Sequence, residues 1–94
     1  MAKLPQEEID RALQGDLAAW TQDGDAITRT VEAPSFLEGI ALVQRVAEAA
    51  ESMNHHPDID IRYTNLTFTL STHSEGGLTA NDLTLAEKID QLAG

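Results

Sequence analysis

Residues 35–70 read SFLEGIALVQRVAEAAESMNHHPDIDIRYTNLTFTL: one long stretch of helical period, then two short runs of strand period. Ser35 with Glu38 three positions on has the spacing of a capping box, in which each side chain satisfies a free backbone donor of the other residue. Phe36, Ile40, Val43, Ala47 and Ala50 recur at helical spacing, and Leu37 and Val46 widen the apolar stripe. Pro57 disfavours helical backbone at His56, so the helix should end by about Asn54. Beyond it Ile59, Ile61 and Tyr63 alternate, then Leu66, Phe68 and Leu70, with Thr and Ser filling the other face of the second run. That alternation predicts an antiparallel pair of strands, with Tyr63 and Phe68 in the core.

The flanks repeat the scheme. Leu4 to Leu13 predicts a short helix: Pro5 suits a first helical position, Glu7 and Glu8 suit the positive N-terminal end, and Gly15 can close it. Leu17 to Gln22 predicts a short strand with Trp20 in the core, and Asp23-Gly24-Asp25 is a turn signal. Ala26 to Glu32 alternates, Ile27 and Val31 against Thr28 and Thr30, and completes a hairpin. After a Gly76-Gly77 loop, Thr79 and Asp82 cap a last helix with Leu85, Ala86, Ile89 and Leu92 on its apolar side. The expected order is α-β-β-α-β-β-α. This is an α+β fold, a four-stranded antiparallel sheet with helices on one face and a Thr-rich face left for water, substrate or a partner.

The 94 residues suffice for a single domain, 1–94, and not for two cores. Six basic residues stand against 16 acidic ones, a net charge of −10 that repels nucleic-acid phosphates, so no nucleic-acid partner is expected. The chain has no cysteine, which excludes a disulfide framework, a thiolate zinc site and a cysteine nucleophile. No apolar run approaches the roughly 20 residues of a membrane span, and Met1-Ala2-Lys3-Leu4-Pro5 has no apolar signal core. No membrane partner is expected, and the expected compartment is cytoplasmic.

Chemistry concentrates on the three histidines, His55, His56 and His73. His55-His56-Pro57 falls where the long helix gives way to a strand. Antiparallel pairing returns the end of the last strand, and His73 with it, toward that point. Imidazole is the side chain suited to acid–base work near neutrality. Glu51 lies one helical turn before His55, placed to orient an imidazole or to accept a ligand N–H. Thr67, Thr69 and Ser71 share a face with His73 by parity. Each residue also has a plain reading: a helix stop with two exposed imidazoles, a solvated loop histidine, a surface acid. Three histidines could complete a catalytic zinc site, but adjacent His55 and His56 point apart on most backbones and no helical H-x-x-x-H pair exists, so no metal is expected. Ser71 and Ser74 lack the context of a nucleophilic serine.

Glu51-Ser52-Met53-Asn54-His55-His56-Pro57, then Tyr63, Thr72-His73, Gly77-Leu78-Thr79 and Asp82, resembles the pterin-4a-carbinolamine dehydratases. The likeness extends over nearly the whole chain and is weakest over the first fifteen residues. It implies the α-β-β-α-β-β-α fold reached above, and dehydration of 4a-hydroxytetrahydropterin to quinonoid dihydropterin without a metal or organic cofactor. It implies His55, His56 and His73 as the catalytic set, and Glu51, Asn54, Ser71 and Thr72 around the substrate. Asp82 belongs to the motif as well, but its place in a first helical turn after Thr79 has a complete structural explanation, and a structural role is expected. Subunits of such proteins associate by extending the sheet, so a homodimer or homotetramer is expected, in keeping with an open sheet edge and a small core. Two departures stand out: Asn54 where many relatives have Asp, and Ile59-Asp60 where many have aromatics. The alternative is a non-enzymatic interaction or regulatory protein on the same fold. The transcription-factor role of the animal members has no matching feature in this chain.

Overall fold

The computed structural model describes residues 2–94. Its elements are helix α1 (Gln6–Gln14), strands β1 (Thr21–Asp23) and β2 (Ala26–Glu32), helix α2 (Phe36–Met53), strands β3 (Asp58–Arg62) and β4 (Asn65–Leu70), a 3-10 turn η1 (His73–Glu75) and helix α3 (Ala80–Ala93). The sheet is antiparallel throughout, in the order β1-β2-β4-β3. The predicted α-β-β-α-β-β-α order and four-stranded antiparallel sheet are the observed ones.

Strand register follows from alternation. Ile27 lies opposite Leu70 and Val31 opposite Leu66, so one face of the β2–β4 ladder is apolar. That face, with Phe68, packs on Leu42, Val46 and Ala50 of α2 and on Leu85 and Ile89 of α3. On the other face Thr30 and Thr67 sit with hydroxyls 2.8 Å apart, and Thr28 and Thr69 with hydroxyls 3.4 Å apart. Such cross-strand threonine pairs satisfy one another without a core.

The structure corrects several local expectations. Helix α2 buries only part of the predicted stripe: Val46 and Ala50 are buried and Val43 partly so, but Phe36, Leu37, Ile40 and Ala47 are exposed, and Gly39 and Leu42 are buried in their stead. The cause is Gly39. A Cβ there would stand 3.3 Å from Ala33 Cβ and 3.5 Å from Leu66 Cδ2, so the helix lies on the sheet through its one bare position. Apolar pattern alone hides this, because glycine does not count as a core residue. The cap is also half of the predicted box: Glu38 N–H donates to Ser35 Oγ at 3.2 Å, but Glu38 Oε2 takes the Ser35 hydroxyl.

Tyr63 is 75% exposed, not core. It sits between β3 and β4 with φ of 53°, a left-handed backbone that takes its side chain out of the strand alternation. Strand β1 is shorter than predicted because residues 15–19 form turns; Leu17 and Trp20 are still buried. Trp20 Nε1 donates to Asp90 Oδ1 at 2.9 Å, and Arg29 pairs with the same carboxylate, which ties the first hairpin to α3.

Candidate active site

Helix α2 ends in a way that aims His55. Asn54 takes the left-handed conformation, φ 50° and ψ 43°, and its N–H donates to Glu51 O at 3.1 Å. His55 N–H reaches back to Ala50 O at 3.1 Å. These two bonds are a Schellman motif, and asparagine tolerates the required conformation better than other residues with a Cβ. The chain thereby reverses at Asn54 and lays His55 against the N-terminus of α3.

There His55 meets Asp82. His55 Nε2 and Asp82 Oδ1 are 2.6 Å apart, with the carboxylate fully buried and the imidazole side chain 11% exposed. Asp82 Oδ2 accepts the Thr79 N–H at 2.9 Å and the Thr72 hydroxyl at 2.7 Å. The Asp82 N–H turns back to Thr79, donating to its backbone O at 3.1 Å, and Thr79 Oγ1 completes a capping box. It also lies 2.8 Å from Thr72 Oγ1. One carboxylate therefore fastens three segments: the end of α2, the residues after β4 and the start of α3. The expected structural role of Asp82 is seen in the cap, and the bond to His55 adds to it. One oxygen caps the helix and the other holds a candidate catalytic imidazole. The sequence did carry a signal, a motif acid that is also a cap, but a cap uses one carboxylate oxygen and says nothing of the second.

The neighbouring imidazole lies in different surroundings. His56 Nε2 and Glu51 Oε1 are 2.7 Å apart, with side chains 57% and 79% exposed. Glu51 thus serves His56 and not His55, although helical spacing faces it toward position 55. The reversal at Asn54 breaks that periodicity.

Strand pairing sets the third side of the site. Asp58 pairs with Thr69, so the residues before Pro57 run level with Ser71 and Thr72. Thr72 and Gly77 form a bridge, Thr72 N–H to Gly77 O at 2.9 Å, and the chain between them makes the η1 turn. His73 opens that turn and is exposed; its side chain has no hydrogen-bond partner among the described residues. The strand ends at Leu70, so His73 is placed by the turn and not by sheet parity. The Ser71 hydroxyl donates to Asp25 O at 2.7 Å. Of the four residues expected around the substrate, Ser71 and Thr72 have their hydroxyls engaged inside the protein, Asn54 supplies the reversing backbone, and Glu51 faces solvent beside His56.

The open depression of about 330 Å³ between α1 and α3 is elsewhere, lined by Glu8, Arg11, Asp16 and Glu87 among others, with no imidazole. Among the described residues no three His, Asp or Glu side chains converge as a metal-ligand set.

Comparison with known proteins follows the same residues. The family model described as pterin 4 alpha carbinolamine dehydratase matches residues 2–92. This chain belongs to that family. A Nocardia farcinica relative bearing the pterin-4-alpha-carbinolamine dehydratase name is 63% identical over 90 residues, covering 96% of this chain and 94% of the relative. A Mycobacteroides abscessus relative of the same name is 55% identical over 94 residues, covering 100% and 99%. The crystal structure of a transcriptional coactivator/pterin dehydratase from Brucella melitensis superposes with a TM-score of 0.93 at 33% identity, covering 98% of this chain and 99% of that one. A pterin dehydratase-like protein described as a RuBisCO assembly factor of the alpha-carboxysome shares the fold, with a TM-score of 0.67 at 21% identity over 80% of this chain and 87% of that one. No helix among the described residues is long and apolar enough to cross a membrane.

Proposed function

We infer that this dehydratase-family protein is a hydro-lyase that converts 4a-hydroxytetrahydropterin to quinonoid dihydropterin and water, the recycling step that follows aromatic amino-acid hydroxylation. The observation that carries the reading is the carboxylate-backed imidazole of His55, set beside His56 and sharing Asp82 with Thr72, the residue before His73. The reaction needs one proton delivered and one removed. The C4a–O bond breaks as an acid protonates the departing oxygen, which leaves as water. The N5–H proton passes to a base, and its electron pair becomes the C4a=N5 double bond. Two imidazoles in complementary protonation states suffice, and the chemistry is balanced without a further reactant. His55, His56 and His73 are the catalytic set. Glu51 hydrogen-bonds His56 and is placed to accept a pterin N–H. Thr72 and Asn54 act by positioning His55, and Ser71 by anchoring the residues before the η1 turn to the first hairpin.

The unit of function is the single domain, residues 1–94, assembled as a homodimer or homotetramer in the cytoplasm. The supporting features are an open β3 edge with Ile61 exposed, and a core too small to gain much from a monomer alone. Light scattering on the eluting protein tests the assembly, and a monomer mass would refute it.

Activity is tested by generating the 4a-carbinolamine with an aromatic amino-acid hydroxylase and following its absorbance with and without the purified protein. Accelerated decay that His55→Ala abolishes is the expected result. Decay no faster than in buffer, from a folded protein, would overturn the reading.

A further inference from the structure

We propose that the N-terminal residues Lys3 and Leu4 form a strap that positions His73 for the reaction, by holding the base of the loop that carries it. The proposal rests on the dehydratase reading above and adds positioning residues far in sequence from the histidines.

The need for a strap follows from His73 itself. His55 and His56 each touch a carboxylate, at 2.6 and 2.7 Å. His73 is exposed and its side chain has no hydrogen-bond partner among the described residues, so the backbone that carries it sets where it can reach. That backbone is a short closed loop. Across its base Thr72 N–H donates to Gly77 O at 2.9 Å, and Gly77 N–H donates to Thr72 O at 3.3 Å. A single bridged pair with no ladder beyond it opens at low cost unless other segments hold its two sides.

The two sides are held differently. On the first, the Thr72 hydroxyl donates to Asp82 Oδ2 at 2.7 Å, and Ser71 before it donates to Asp25 O at 2.7 Å. On the second, Gly77 has no side chain to offer, and the hold comes from the N-terminal segment. Leu4 N–H donates to Leu78 O at 2.8 Å. A Cβ on Gly77 would stand 3.2 Å from Lys3 Cδ and 3.6 Å from Lys3 Cε, so the lysine stem lies across the bare backbone. Lysine commonly covers apolar surface in this way with its stem while the ammonium stays in water. Gly77 is buried although it sits in a loop, and Leu78 beside it is 3% exposed.

The strap is itself anchored. Leu4 packs partly buried against the core, and the next residue, Pro5, is the N-cap of α1, whose Ile9 is buried. Helix α1 therefore reaches through two residues to the far side of the His73 loop. Releasing the strap leaves that side to move, so that His73 spends less time in position. Such a loss falls on kcat rather than KM, because the other groups around the substrate stay in place.

The first test is hydrogen exchange on the unmodified protein. The Leu4 N–H is expected to be protected together with those of Thr72 and Gly77. A Leu4 N–H that exchanges as fast as an open chain overturns the proposal, whether or not the protein is a dehydratase. The second test compares Leu4→Pro, which removes the donating N–H, with Leu4→Ala, which keeps it. The Thr72 and Gly77 N–H groups are expected to exchange about fivefold or more faster in Leu4→Pro than in Leu4→Ala, the scale of one hydrogen bond, with β4 equal in the two. In the coupled assay Leu4→Pro is expected to lose about fivefold more kcat than Leu4→Ala, at similar KM. Equal kcat in the two variants, or a difference confined to KM, overturns the positioning role. If Leu4→Pro does not fold, Gly77→Ala and Lys3→Ala decide. Each alone is expected to lower kcat about twofold, and the pair together to recover, the new methyl group taking the place of the stem. No loss in either single variant, or losses that simply multiply, contradicts the proposal.

Discussion

His55 and His56 are adjacent in sequence and each touches a carboxylate, at 2.6 and 2.7 Å. Distance does not distinguish them; surroundings do. The His55–Asp82 pair is 11% and 0% exposed, the His56–Glu51 pair 57% and 79%. Water screens the second pair, and long exposed side chains lose entropy in holding one geometry, so it contributes about 0–1 kcal/mol. The first pair lies in low dielectric with every other oxygen and proton matched, where losing one partner leaves the rest unsatisfied. The buried arm can therefore fix an imidazole's orientation and proton, while the exposed arm remains free to move with a substrate.

This contrast can be broken from its strong side first. Asp82→Ala removes both the His55 partner and the cap of α3, and is expected to destabilise the protein by about 3–5 kcal/mol in urea unfolding. A loss under about 1 kcal/mol would place the two arms on the same footing. Thr72→Val leaves Asp82 Oδ2 short of one donor and is expected to cost about 1–3 kcal/mol by the same measurement. Gly39→Leu tests the seat beneath the site. Its side chain must displace Ala33 and Leu66, and a cost of about 1–3 kcal/mol with weakened His55 geometry is expected. At the weak end, a double-mutant cycle of Glu51→Ala and His56→Ala should return a coupling within about 1 kcal/mol that fades in high salt. A coupling that survives molar salt would show that the pair is shielded in solution.

The sequence made most of this fold legible because its signals agree across levels. Period-two runs around Phe68 and at Ile27–Val31, a breaker at Pro57, and caps at Ser35 and Thr79 all point to the same arrangement. The misses share a physical cause. Gly39 decides which face of α2 meets the sheet through the absence of a side chain. Tyr63 and Asn54 leave their patterns through positive φ, which hydropathy does not encode. The site was legible as a set of residues and not as a wiring diagram. Helical spacing joined Glu51 to His55, whereas the left-handed turn at Asn54 gives Glu51 to His56 and turns His55 toward Asp82, a residue from another helix. Only three-dimensional closure shows that a helix cap has a second oxygen to offer.

The most direct measurement compares wild type, Asp82→Asn and Glu51→Gln side by side in the hydroxylase-coupled assay, following decay of the 4a-carbinolamine absorbance. The predicted result is clear acceleration by wild type, and a kcat loss in Asp82→Asn at least about tenfold larger than in Glu51→Gln, whose effect falls mainly on KM. Equal losses in the two variants, or a wild-type rate no faster than buffer, would contradict the account.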